Sequence, residues 1–167
     1  LKYHAQALTI SREIRDRWGE ATELGNIGSI CRDKGEPDKA LKYHERALAV
    51  SRELGYLPGM VTGLASIGIL YRDKDRLDKA LEYEEKALAM AREAGYSLRV
   101  ATSLGDIGLA LTDKSRHKEA VPKLAEALTI LLATHDPRAA QRADRVLHLE
   151  KGQLVEQPEI LHEADVV

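Results

Sequence analysis

Phenylalanine is absent from all 167 residues, and one tryptophan with six tyrosines brings the aromatic share to only 4%. Any core must therefore be built from Leu, Ile, Val and Ala. A single cysteine, Cys31, excludes both an internal disulfide framework and a cysteine-based metal cage. No apolar run approaches the roughly 18 residues that a membrane span needs. With 25 basic and 27 acidic side chains the formal net charge is −2, which gives no electrostatic footprint for nucleic acid or anionic lipid. No Gly-Lys pair occurs, so the G-x-x-x-x-G-K-[ST] phosphate loop is excluded. The six histidines never fall at metal-ligand spacing with acids, and no nucleophile–base set or pair of working carboxylates emerges. These absences leave no support for an enzyme, a cofactor or a metal. No signal peptide is visible, and a cytoplasmic protein is the expectation.

What is present is a forty-residue period. ALKYHERALAVSRELGY at 40–56 recurs as ALEYEEKALAMAREAGY at 80–96, and LKYHAQALTISREIRD opens the chain. LGNIGSICRDK at 24–34 is matched by LASIGILYRDK at 64–74 and LGDIGLALTDK at 104–114. In register, about half of the positions in 21–60 and 61–100 are identical. Repetition at this period predicts stacked supersecondary units.

Each unit divides into two helices. Leu24, Ile27, Ile30 and Cys31 form one stripe of a 3.6-residue period, and Ala40, Leu41, Ala47, Leu48 and Val50 form another. Gly35-Glu36-Pro37-Asp38 supplies a turn, and Gly55 and Gly95 are placed to close second helices. Seven helices are predicted, near 1–15, 19–34, 37–54, 58–74, 77–94, 98–114 and 117–132. Gly28, Gly68 and Gly108 sit inside first helices at a cost of about 1 kcal/mol each. Close approach to Ala40, Ala80 and Ala120 on the second helices is the expected reason. Cys31 reads as a buried thiol, and Trp18 as packing against the opening helix. His4 and His44, at equivalent positions, are expected at helix crossings and near each other. Glu13, Glu53 and Glu93 with Arg12, Arg52 and Arg92 read as a solvated helix face.

These residues resemble the tetratricopeptide repeat family in its forty-residue, long-helix form. Leu24, Ile27-Gly28, Ala40 and Ala47 fit its pattern, as do Leu64, Ile67-Gly68, Tyr71, Ala80 and Ala87, then Leu104, Ile107-Gly108, Ala120 and Ala127. Cys31 and Leu111 depart from it at an aromatic position, and His44 and Glu84 at another. The resemblance covers 1–133: a half repeat at 1–20 and repeats at 21–60, 61–100 and 101–133. It implies an all-α solenoid of antiparallel helix pairs, with a protein or peptide partner on a concave face lined by the first helices. The groove positions it implies are Thr22, Asn26, Ser29 and Arg32, then Thr62, Ser66, Ile69 and Arg72, then Thr102, Asp106 and Leu109. Arg32 and Arg72 together suit a partner carboxylate; alternatively they pair with Asp33 and Asp73. Leu1 matches Leu41 and Leu81 inside a second helix, so the sequence reads as a slice of a longer array. The opening helix, lacking its own first helix, offers an apolar face for self-association.

The period fails after Leu128. Residues 134–167 are expected to form a short irregular or β-hairpin tail. An apolar β-like run at Ile130–Leu132, a Thr-His-Asp turn, an Ala-rich helix near 138–143 and two strands at 145–150 and 153–157 joined through Lys151-Gly152 are expected across 128–157. In this order the segment resembles the end of an ABC-transporter ATPase of the lipoprotein and macrolide exporter type, where His135 would match the switch histidine. The alternative function is thus a fragment or fusion of such an ATP-binding subunit. A true fusion, a recombination or assembly junction, and chance likeness are all open. The phosphate loop and LSGGQ-like segment that ATP handling requires are missing.

Overall fold

The computed structural model describes residues 1–135 and the two strands of a hairpin near the C-terminus. Seven helices follow one another: α1 (Lys2–Glu13), α2 (Arg17–Asp33), α3 (Pro37–Glu53), α4 (Leu57–Asp73), α5 (Leu77–Glu93), α6 (Ser97–Asp113) and α7 (His117–His135). The hairpin pairs β1 (Leu147–Glu150) with β2 (Gln153–Glu156) antiparallel, with Glu150 opposite Gln153. The expected strands at 145–150 and 153–157 correspond to it. No helix among the described residues is long and apolar enough to cross a membrane.

The five helices α2 to α6 are each 17 residues long. Every connection between helices places one residue at positive φ: Arg15, Gly35, Gly55, Asp75, Gly95 and Ser115, twenty residues apart throughout. At each, paired backbone bonds close the helix. The Gly55 amide donates to Arg52 at 3.1 Å and the Tyr56 amide to Ser51 at 2.8 Å, a Schellman closure that satisfies two terminal carbonyls. The Asp16 side chain accepts from the Gly19 amide at 2.9 Å and starts α2.

Sequential helices pack as antiparallel neighbours. Beyond these, α2 touches α4 and α4 touches α6, so the first helices gather on the inner, concave side. Two apolar clusters fill the interior. Leu8, Leu24, Ile27, Cys31, Val50 and Leu70 form one; Val61, Leu64, Ile67, Leu88, Leu104 and Ile107 belong to the other. Leu41 packs against both and makes the core continuous.

Ile130 packs against the second cluster in helical register with Ala120 and Ala127. The expected β-like run at Ile130–Leu132 is therefore corrected: it is the last part of α7. Pro122 sits early in that helix, where one lost N–H does not stop it. The expected Ala-rich helix near 138–143 lies outside the described residues.

The small residues are also corrected. A Cβ on Gly28 would stand 2.7 Å from His44 Nε2, one on Gly68 2.7 Å from Glu84 Oε1, and one on Gly108 2.5 Å from Leu124 Cδ2. The glycines thus face side chains four residues beyond the alanines expected to oppose them. Ala40, Ala80 and Ala120 are themselves buried. This arrangement separates the three glycines energetically. His44 is 4% exposed and cannot yield, whereas Leu124 is 38% exposed and can turn aside. Gly28→Ala is expected to be offset by overpacking of about 1–3 kcal/mol. Gly108→Ala keeps most of the roughly 1 kcal/mol gain in helix propensity. Thermal melts of the two variants should place Gly108→Ala above Gly28→Ala by several degrees, and the reverse order would contradict this packing.

Candidate functional site: the inner groove of the first helices

Between α2 and α4 the inner face opens into a cleft of about 320 Å³. Thr22, Asn26 and Ser29 of α2 and Thr62 and Ser66 of α4 form its walls. His44 and Ser51 of α3 also line it, and Arg99 of α6 reaches it from the next repeat. Four-residue helical spacing puts Thr22, Asn26 and Ser29 on one stripe, and the forty-residue period puts Thr62 and Ser66 on the matching stripe of α4.

The hydrogen bonding of these side chains differs. Thr22 Oγ1 donates to the Trp18 carbonyl at 3.0 Å and Ser29 Oγ to Gly25 at 3.2 Å, each back-bonding within its own helix. The side chains of Asn26, Thr62 and Ser66 make no hydrogen bond to other described residues, and the Arg99 guanidinium makes no ion pair among them. His44 is held neutral: burial, then the nearby charge of Arg32, lowers its pKa to about 4. The cleft is therefore polar, carries one outer cation, and has free donors and acceptors.

Five of the eleven expected groove residues meet in this cleft. The other six lie elsewhere. Arg32 is exposed and pairs weakly with Asp33 at 3.5 Å. Arg72 Nη1 lies 3.2 Å from Asp106 Oδ1, an ion pair that ties α4 to α6, and it does not pair with Asp73. Thr102 donates to the Arg99 carbonyl at 3.0 Å. Ile69 is half-buried, and Leu109 is 48% exposed. Arg99, His44 and Ser51 were missing from the expected set. The period itself could have pointed to Arg99, which follows Gly19 and Gly59 as the first charged residue at its position.

Other expectations are redrawn by the same contacts. Trp18 meets the ring of Tyr56 edge-on at 6.3 Å rather than packing on α1 as expected. His4 Nδ1 lies 2.6 Å from Glu23 Oε2, while His44 packs over Gly28, so the two equivalent histidines have different partners. The repeated Glu and Arg residues are not simply solvated. Arg12 donates to Glu20 at 2.9 Å, Arg17 bonds Glu53, and Arg92 reaches Glu126 at 2.5 Å. Cys31 is buried with its thiol free.

The tetratricopeptide repeat family model matches residues 20–93 and 61–133. Among solved structures, the chain is similar to the TPR domain of Arabidopsis FLU at 16% identity and a TM-score of 0.66, covering 70% of this chain and 98% of that one. Aspartyl phosphate phosphatase F from Bacillus subtilis is similar at 17% identity and a TM-score of 0.74; 80% of this chain is covered but only 35% of the phosphatase. BtubC from P. vanneervenii gives 19% identity and a TM-score of 0.71 over 95% of this chain and 63% of that one. At such identities the likeness is one of fold. No curated protein matches the sequence. None of these comparisons supports the ABC-transporter likeness of the tail, and the strand expected before its Thr-His-Asp turn is helical.

Proposed function

Because the chain belongs to the tetratricopeptide repeat family through residues 20–133, we propose that it is a scaffold without catalysis of its own that holds an extended segment of a partner protein along its concave face. The observation that carries this reading is the cleft between α2 and α4, where Asn26, Thr62 and Ser66 keep their hydrogen-bonding groups free. An extended segment brings a backbone N–H and C=O that each need a partner once water is displaced. The Asn26 amide answers both, since it donates and accepts. Thr62 and Ser66 answer from the opposite wall. Arg72 is already engaged by Asp106, so an acidic group on the partner is better met by Arg99 than by the Arg32–Arg72 pair.

The test begins with peptides selected from a random display library on the full chain. Their affinities are then compared on variants by fluorescence polarisation. Asn26→Ala combined with Ser66→Ala should weaken binding about tenfold, the loss of one or two net hydrogen bonds. Arg99→Glu should remove any preference for acidic residues. Peptides that bind all three proteins equally would place the interaction elsewhere.

A further inference from the structure

One repeat beyond His44, the equivalent helix position is Glu84. Glu84 is 1% exposed, and neither carboxylate oxygen has a hydrogen-bond partner among the described residues. Folded proteins rarely leave a buried acid in that condition without a reason. Packing alone does not demand an acid here, because the corresponding positions are filled by His44 and Leu124.

The surroundings are specific. On α4, Gly68 brings its backbone against the carboxyl group, and Arg72 stands nearby. On α6, Asp106 and the buried hydroxyl of Ser103 face it, the latter without meeting hydrogen-bond geometry. Asp106 and Arg72 are each 22% exposed at the side chain, so their ion pair reaches the groove while Glu84 lies beneath it. Along this stripe of the first helices the residues run Asn26, Ser66 and Asp106, so only the third is acidic. Two carboxyl groups thus share one guanidinium.

We propose that Asp106 and Glu84 form the acidic lining of a subsite that takes one cationic side chain, an arginine or lysine, from the partner segment. This rests on the reading of the concave face as a peptide-binding surface and adds a chemical requirement to it. In the free chain Glu84 holds a proton. Burial, then the charge of Asp106, pushes its pKa up to about 8, against the opposing pull of Ser103 and Arg72. When a cation enters, the O–H bond of Glu84 breaks, the proton leaves to solvent, and the carboxylate accepts N–H groups of the newcomer. One positive charge enters and one leaves, so the subsite gains no net charge. A guanidinium is favoured over an ammonium because its planar fork spans two carboxylates.

The experiment follows the Glu84 carboxyl carbon by NMR in the full chain labelled with 13C-glutamate. The chain is titrated through pH in sodium chloride and, at equal ionic strength, in acetyl-arginine amide, with acetyl-citrulline amide as the uncharged control. The expected midpoint is about 8 in salt and lower by about one pH unit or more in the arginine derivative, with no change in the citrulline one. Glu84→Gln, checked for helicity by circular dichroism, should bind acetyl-arginine amide about fivefold or more weakly. An unchanged midpoint in the arginine derivative, or equal binding by Glu84→Gln, would overturn the subsite. Peptide binding at Asn26 and Ser66 is scored separately, so either reading can fail alone.

Discussion

Between pH 6.5 and pH 8 the folded chain is expected to lose about 2 kcal/mol of stability, and Glu84→Gln is expected to abolish that loss. The folded pKa of Glu84 is raised to about 8 from an ordinary 4.5, by burial and then by Asp106. Across that window the unfolded chain has released the proton and the folded chain keeps it. Each pH unit therefore costs the fold about 1.4 kcal/mol. His44 acts in the opposite sense. Its folded pKa is lowered to about 4 from 6.5, so the unfolded chain takes up a proton first as pH falls, and stability drops below 6.5. The two slopes cancel between about 4.5 and 6.5 and leave only Glu84 above that. Urea melts at half-unit steps of pH would show a plateau and then a decline in the natural chain. In Glu84→Gln the decline should vanish and a rise from about 4 to 6.5 should appear in its place. A flat profile in the natural chain above pH 6.5 would show that Glu84 ionises freely.

Leu104→Ala should be the most damaging single truncation, at about 2–5 kcal/mol. Leu104 is fully buried on α6 and belongs to the larger apolar cluster, with Leu64, Ile67, Leu88 and Ile107. Those neighbours come from α4, α5 and α6 itself, all anchored by packing on both sides, so the surroundings cannot collapse into the space. With no phenylalanine anywhere in the chain, no larger side chain stands ready to fill it. A typical domain has only about 5–15 kcal/mol to lose. Leu109→Ala, five residues along the same helix but 48% exposed, is the natural comparison and should cost under about 0.5 kcal/mol. Equal destabilisation by the two substitutions would mean that α6 is not held as described.

The seven helices were legible because the period was. A stripe of apolar residues every 3.6 positions, repeated at forty, leaves little freedom about where helices lie. The turns at Gly35, Gly55 and Gly95 announced themselves through residues suited to positive φ, while Arg15, Asp75 and Ser115 do the same work without that signal. The side-chain pairings were harder. Gly28 facing His44 instead of Ala40 depends on the crossing geometry of α2 and α3, which spacing along either helix does not specify. Arg72 pairing with Asp106 depends on the distance between successive first helices, a property of the stack rather than of one repeat. The run at 130–132 misled because three apolar residues fit a strand or a buried helix equally well. Its contacts with the second cluster, at the spacing of Ala120 and Ala127, decided for helix.

The six left-handed residues recur every twenty positions, half the length of the sequence repeat. The link inside a helix pair and the link between pairs are therefore the same corner. Nothing in the backbone distinguishes a hairpin from a junction. That distinction is carried by side chains alone, by Gly28, Gly68 and Gly108 at one kind of crossing and their absence at the other. Such a chain is a polymer of single helices that its side chains punctuate into couples. Lengthening or shortening it by one helix would preserve every corner and exchange the inner face for the outer one.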